Sequence, residues 1–467
     1  MNDPAMLSLT ELAAAIRARK LSSVEATTAL LERVSDWQPK INAFVSIEPE
    51  SALELARTAD AALARGEIKG PLHGVPLAHK DMYYFAGKVA GCGSKLREGW
   101  IAPATSTVIA RLEAAGSFRF GTLHLSEFAY SPTGHNAYLG HARNPWNPEH
   151  ITGGSSSGSG AAVAARLTPA ALGSDTGGSV RMPAHFCGVT GLKTTYGRVS
   201  RANAMPLSFT LDTVGPLART VEDCALIMAA IAGPDALDPV TNGAPAWDAE
   251  AASRSPRSLK VGVPASFYVD DLEPAVAAAL DAALATFGTL GIDIVKVELP
   301  DQSIIAAAAL IVLAVEATTA HAAWLRKRPQ DYGAPLRARL ENGLAYSAVE
   351  YLEALRWRGP ALADHLAAIG DIDVIIAPAS RETAPTIEAT DVGGATAEAT
   401  IAGVTRFMRP VNYLGLPSLV VPAGQAGNGL PIGLQLIGRP FGDETVVALG
   451  RAFQAATDYH QRAPSLR

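Results

Sequence analysis

The chain has 467 residues, 48% of them hydrophobic and 18% charged, which is enough apolar content to bury a sizeable core and too little charge to hold long stretches open. Its 39 basic and 45 acidic residues leave a net charge of −6. No run of five Lys or Arg supplies the electrostatic footprint of a nucleic-acid binder, so the sequence predicts a globular chain with no nucleic acid as partner.

Three cysteines, Cys92, Cys187 and Cys224, form no C-x-x-C pair and have no histidine beside them at ligand spacing. This argues against a disulfide framework and a zinc site, and for a reducing compartment. Residues 1–20 lack the uninterrupted apolar stretch of a secretory signal, so the expected location is the cytoplasm.

In chain order, Leu9, Leu12 and Ile16, then Val24, Leu30, Leu31 and Val34, recur at helical spacing. With Ser22 or Ser23 as a cap, they predict two amphipathic helices wrapping the core. From about Gly70 short apolar runs take over, at 75–78, 118–121, 261–263, 292–297, 374–377, 419–421 and 432–436. They alternate with helical segments at 106–115, 156–166, 220–232, 274–290, 347–369 and 444–456. Fully apolar strands between helices predict an α/β fold: a single large domain with a mixed, mostly parallel twisted central sheet covered by helices on both faces.

Within that one domain, residues 1–65 are expected as wrapping helices and 66–233 as a catalytic core. The Pro-, Asp- and Ala-rich stretch 234–258 is expected as a loop excursion, and 259–467 as the half that completes sheet and pocket. The most apolar stretch, 304–315, ends at Glu316. It is shorter than the ~20 residues of a membrane span, so it reads as a buried helix and no membrane is expected.

The chemistry concentrates in three segments. Residues 152–160 read T-G-G-S-S-S-G-S-G and run straight into the helix-forming 161–165. Such a run ends at a helix N-terminus that favours negative charge, but no lysine follows it in the order a phosphate loop requires. Residues 173–181 read G-S-D-T-G-G-S-V-R. Two glycines before a serine allow a sharp turn that aims backbone N–H groups at one point beside an exposed hydroxyl, the arrangement an oxyanion hole needs. Upstream, Lys80 closes the short apolar strand of 74–81, where burial would depress its pKa and make it a usable base.

Together the three segments resemble the amidase signature family. Lys80 matches the motif lysine, Ser155 the serine of G-G-S-S-S-G that follows a cis peptide at Gly154, and Ser179 the nucleophile of D-T-G-G-S-V-R. Lys80 and Ser155 are 75 residues apart, Ser155 and Ser179 24 apart, as in the family. The segments at 143–146, 188–193 and 212–217 also look like it.

The resemblance implies an acyl-enzyme on Ser179, with Ser155 and neutral Lys80 as a proton relay. The N–H groups of Thr176, Gly177, Gly178 and Ser179 would form the oxyanion hole, and neither cofactor nor metal would be needed. Ser174 sits where the family places a hydroxyl beside the bridging serine. Asp175 and Arg181 are expected to pair and stiffen the turn. His79, His135 and His185 are read as structural or pocket-lining, since the relay already has a base.

Two activities share this triad: a free-standing hydrolase of aryl or apolar amides with ester or carbamate side activity, and the glutaminase subunit of a glutamine-dependent tRNA amidotransferase. Residues 131–136 read S-P-T-G-H-N, where an S-T-E-N-S type of sequence is expected for the subunit, and 351–358 read Y-L-E-A-L-R-W-R. Both favour the hydrolase, acting as monomer or homodimer with a small-molecule amide and water as its partners. Met82, Tyr83, Tyr84, Tyr130, Thr133, Gly134, His135 and Phe209 are the residues expected to line its pocket.

Overall fold

The amino-terminal helices form where the sequence supplies caps. Ser8 with Glu11 caps helix Leu9–Arg17, and Ser22 with Glu25 caps helix Ser23–Ile41, each a reciprocal pair of side-chain and backbone hydrogen bonds. A third helix, Pro49–Ala64, starts on a proline at its first position, where the missing N–H costs nothing. The apolar faces of the first two bury Leu9, Leu12, Ile16, Leu30, Val34 and Trp37. The structure, a computed structural model, describes residues 3–391 and 397–465.

Two sheets build the centre. Strands β1 (Phe44–Ile47), β2 (Pro76–Lys80) and β3 (Phe118–Leu123) form the smaller, in the order β1-β3-β2. The larger contains β4 (Ala170–Asp175), β5 (Thr190–Lys193), β6 (Thr213–Ala218), β7 (Lys260–Pro264), β8 (Asp293–Val297), β9 (Val374–Pro378), β10 (Ser418–Gln425) and β11 (Pro431–Gly438). Its order is β4-β6-β5-β10-β11-β9-β7-β8.

The fold is α/β with a large mixed sheet flanked by helices. The larger sheet is not mostly parallel: among the described residues only β7 pairs in parallel within it, with β8 and β9, and its other ladders are antiparallel. Continuous apolar runs such as Ile432–Leu436 suggested parallel strands because those are buried on both faces. Here an antiparallel core is buried in the same way. Leu419 and Val421 of β10 share a cluster with Val446 and Phe453 of helix Asp443–Ala456, whereas Val420 joins Ala184 and Phe186 of helix Arg181–Cys187. Each such side chain contributes about 1.5–3 kcal/mol relative to exposure.

The apolar stretch 304–315 belongs to a longer helix, Gln302–Lys327, long and apolar enough by length and composition to cross a membrane. It packs here against helices Ala334–Asn342, Ala348–Ile369 and Arg409–Tyr413. Glu316 does not end it, because the buried carboxylate is satisfied: it accepts from Thr210 N at 3.0 Å, Thr210 Oγ1 at 2.7 Å and Tyr351 Oη at 2.9 Å. Residues 234–258 carry three single turns, at Pro239–Thr241, Ala251–Ser253 and Pro256–Ser258, the first tied down by the Arg201–Asp238 ion pair.

Candidate active site

Lys80 is the last residue of β2, a strand buried along its whole length, and is itself 0% exposed. Its Nζ lies 2.8 Å from Ser155 Oγ, 2.8 Å from Ser174 Oγ and 3.1 Å from Ser156 Oγ. Burial pulls its pKa down to about 7, against the opposing pull of Asp212 and Asp175. A neutral amine here has two N–H groups and one lone pair. Two of the three hydroxyls can accept, and the third must donate to the lone pair. Ser156 was not singled out from the sequence. Its Oγ also accepts from Ser174 N at 3.3 Å, which locks the two serines together.

Ser155 and Ser156 immediately precede helix Ser157–Ala164, and the Gly154–Ser155 peptide is cis, as the resemblance implies. Backbone glycine is required at 154 and 158. A Cβ at Gly154 would meet Ser131 O at 2.6 Å, and one at Gly158 would collide with Ala43 O and His124 N.

The turn bearing Ser179 leaves the end of β4. Asp175, at that end, accepts from Gly178 N at 2.8 Å, Val180 N at 3.2 Å and Arg181 N at 3.3 Å, and pairs with Arg181 Nε at 3.0 Å. Asn412 Nδ2 donates to it at 2.8 Å. Burial pushes the Asp175 carboxyl up, but the Arg181 guanidinium and these donors outweigh it and hold the pKa well below the usual carboxylate range. One carboxylate thus fixes three corners of the turn. The expected oxyanion hole is corrected at one position: Gly178 N–H is spent on Asp175. The N–H groups of Thr176, Gly177 and Ser179 have no hydrogen-bond partner among the described residues. Gly178 has φ +116°, a conformation only glycine adopts without strain.

Thr176, Gly177 and Ser179 line a cavity of about 200 Å³. Its other walls are Tyr130, Ser131 and Met182, Leu310 and Leu313 of helix Gln302–Lys327, and Arg339, Tyr346, Ile401, Thr405 and Arg409. Of the residues expected in the pocket, Tyr130 is there. Met82, Tyr83 and Phe209 line a second cavity that touches Ser174 from another side, together with Asp212. Thr133 and His135 line a third, which shares Tyr130, Ser131 and Arg339 with the first.

Tyr84 is turned away: its ring packs on Trp100 and its Oη accepts from Arg97 Nη1 at 2.9 Å. Gly134 is packed against Thr152 and Ser157. Proximity to Lys80 in sequence suggests the cleft for Tyr84, but Trp100 and Arg97 hold it elsewhere. The arginines and aliphatics that do line the cavity come from C-terminal helices that carry no motif.

His79, His135 and His185 have partners of their own. His79 Nδ1 accepts from Leu172 N at 3.1 Å and His185 Nδ1 from Gly433 N at 2.7 Å. Burial lowers His79 to about 3, and His135 and His185 to about 4. All three are neutral at ordinary pH.

A family model described as Amidase matches residues 25–447. The chain belongs to the amidase signature family. It is 39% identical over 480 residues, 97% of this chain and 98% of the other, to the A subunit of glutamyl-tRNA(Gln) amidotransferase from Geobacter metallireducens. The same subunit from Methylococcus capsulatus is 37% identical over 484 residues, 98% of each chain.

Among solved structures, one described as an unexpected vestigial protein complex revealing the evolutionary origins of an s-triazine catabolic enzyme superposes with a TM-score of 0.90. It is 35% identical and covers 96% of this chain and 98% of that one. The A subunit of glutamyl-tRNA(Gln) amidotransferase from Thermotoga maritima gives 0.81 at 30% identity, covering 97% and 95%. This amidase is thus a C–N hydrolase of the serine type. The expectation of a monomer or homodimer with only a small amide and water as partners, and no nucleic acid, is overturned: the relatives matched end to end are by name subunits of a tRNA amidotransferase. Net charge could not reveal this, because it reports on what a chain's own surface attracts and not on which chains it resembles.

Proposed function

We propose that the chain is the amide-hydrolysing subunit of an assembly of the amidotransferase kind, releasing ammonia from a primary carboxamide. Neutral Lys80 takes the proton of Ser155, Ser155 takes that of Ser179, and Ser179 Oγ attacks the carbonyl carbon. The N–H groups of Thr176, Gly177 and Ser179 hold the oxyanion, each donor worth about 3 kcal/mol in the transition state. Ser155 returns its proton to the departing nitrogen, ammonia leaves, and the C–N bond is replaced by an acyl ester on Ser179. Water attacks that ester by the reverse relay, which yields the carboxylic acid and restores Ser179.

The observation that carries this reading is a buried lysine with a pKa of about 7, held by three serine hydroxyls. One of those serines, Ser174, lies on the strand that leads to Ser179, beside three N–H groups with no partner among the described residues. The amidotransferase side rests on relatives such as those 39% and 37% identical over nearly the whole chain. It displaces the free-standing hydrolase of aryl amides suggested by residues 131–136 and 351–358. Ser131 and Pro132 of the first segment line the cavity, so that segment bears on the substrate.

The test is to purify the chain with whatever it binds in its own cells and to assay ammonia from a panel of carboxamides starting with glutamine. Ammonia release that disappears in Ser179→Ala and a stoichiometric partner chain are expected. Release that survives Ser179→Ala overturns the mechanism, and a chain that is isolated alone and fully active overturns the assembly.

A further inference from the structure

Beside Ser179 the cavity holds two arginines that no carboxylate balances. Arg339 reaches it from helix Ala334–Asn342 and Arg409 from the start of helix Arg409–Tyr413. Arg339 Nη1 donates to Tyr130 O at 2.9 Å. Arg409 makes no side-chain hydrogen bond, and neither guanidinium has an acid as ion-pair partner, among the described residues.

Some other guanidinium groups in the molecule have a carboxylate partner. Arg181 pairs with Asp175 at 3.0 Å, Arg201 with Asp238 at 2.9 Å, and Arg198 with Glu444. Arg166, which also lacks a carboxylate, gives its Nη2 to the carbonyls of Gln461 and Arg462. Burial disfavours the charged form of both cavity arginines, and Arg339 adds to the cost at Arg409. Two like charges on the wall of a partly apolar cavity are expensive while it is empty, and a bound anion removes that cost.

Among the described residues the lining contains no Asp or Glu. Glu127 and Asp391 line the adjoining cavity instead, with Glu127 already engaged by Ser94 Oγ at 2.6 Å and Gly333 N at 3.0 Å. We infer that Arg339 and Arg409 form a carboxylate subsite beside Ser179, and that the substrate is a small carboxamide carrying a carboxylate and no free ammonium, of the class of short dicarboxylic acid monoamides. Glutamine presents the carboxylate but also an ammonium, which would enter beside two guanidinium groups with no acid to receive it. The subsite rests on the hydrolase reading above and narrows its substrate.

The test compares kcat/KM for ammonia release by the native assembly from glutaramate, its neutral counterpart glutaramide, and glutamine. Glutaramate is expected to exceed both by about 100-fold, the scale of one charge-assisted hydrogen bond made or left unpaired. Arg409→Met should bring the glutaramate-to-glutaramide ratio close to one, with most of the loss in KM. Equal use of the neutral amide overturns the subsite, and a preference for glutamine overturns the exclusion of an ammonium; either leaves the hydrolase reading standing. Where none of the three is hydrolysed, calorimetric titration of Ser179→Ala decides without turnover. Glutaramate binding that is tighter than glutaramide binding, and is lost when Arg409→Met is added, supports the subsite. Equal or absent binding overturns it.

Discussion

Lowering the pH from 8 to 6 should slow acylation about tenfold, and the group responsible should be Lys80. With a pKa of about 7, roughly ten-elevenths of the lysine is neutral at pH 8 and one-eleventh at pH 6. The relay needs the neutral form, so single-turnover acylation should rise tenfold per pH unit below 7 and level off above it. His79, His124, His135 and His185 cannot supply this inflection, since burial takes them to about 3 to 4.

Two other buried groups titrate in the same range. Burial raises Asp81 to about 7 and lowers Lys193 to about 7. Lys193 Nζ donates to Thr194 O at 2.9 Å and Leu416 O at 2.7 Å and touches none of the three serines around Lys80. The assay is therefore rapid-quench acylation from pH 5.5 to 9 on the parent and on Asp81→Asn. The inflection near 7 should persist in Asp81→Asn. A flat profile in the parent, or an inflection that vanishes with Asp81 alone, would refute Lys80 as the base.

Further outcomes follow from the same geometry. Asp175→Asn leaves the Arg181 guanidinium buried without its carboxylate, at a cost of about 3–5 kcal/mol, so thermal denaturation should show a drop in Tm of many degrees; a Tm within two degrees of the parent contradicts the buried pair. Gly178→Ala places a Cβ 2.7 Å from Met408 Cγ at a residue with φ +116°, and kcat should fall at least ~100-fold through loss of oxyanion alignment, whereas near-parent kcat would show that the turn tolerates movement. Lys80 and Lys193 both have folded pKa values near 7 and unfolded values near 10.4. Between those limits the unfolded chain binds more protons, so each lysine makes stability rise with pH by about 1.4 kcal/mol per unit. Lys193→Met should flatten the dependence of Tm on pH between 7 and 9, and an unchanged slope would place its charge elsewhere.

The sequence made some strands legible and hid others for a physical reason. Short apolar runs marked β2, β3 and β7 to β11. β4, β5 and β6 read A-A-L-G-S-D, T-G-L-K and T-V-G-P-L-A, and escape hydrophobic patterning because their neighbours press so closely. A Cβ at Gly215 would collide with Leu192 O, one at Gly191 would meet Ala184 Cβ at 2.7 Å, and one at Gly173 would meet Ser156 Oγ at 2.8 Å. Those small residues allow the nucleophile turn, the serine helix and Lys80 to converge. Of these strands, β4 carries Ser174 and Asp175, whereas β2, which ends in Lys80, is legible from the sequence.

The site was legible only where it is written in contiguous motifs. Lys80, Ser155, Ser174, Asp175 and Ser179 lie in segments with a strand or helix register of their own, so sequence spacing carried over to space. Arg339 and Arg409 sit among Leu336, Leu340, Phe407 and Met408 in helices remote from any motif. A charged residue interrupting an apolar helix face was the one signal they offered, and their meeting at the cavity depends on how the C-terminal helices pack.

The most direct check on the central claim is to trap the acyl-enzyme. The chain is mixed with a carboxamide substrate, quenched in acid during the first turnover, digested and mapped by mass spectrometry. An acyl adduct on Ser179 that is absent from Ser179→Ala and about tenfold slower to form at pH 6 than at pH 8 is predicted. Turnover with no adduct on Ser179, or with the adduct on another residue, would contradict the assignment of nucleophile and relay.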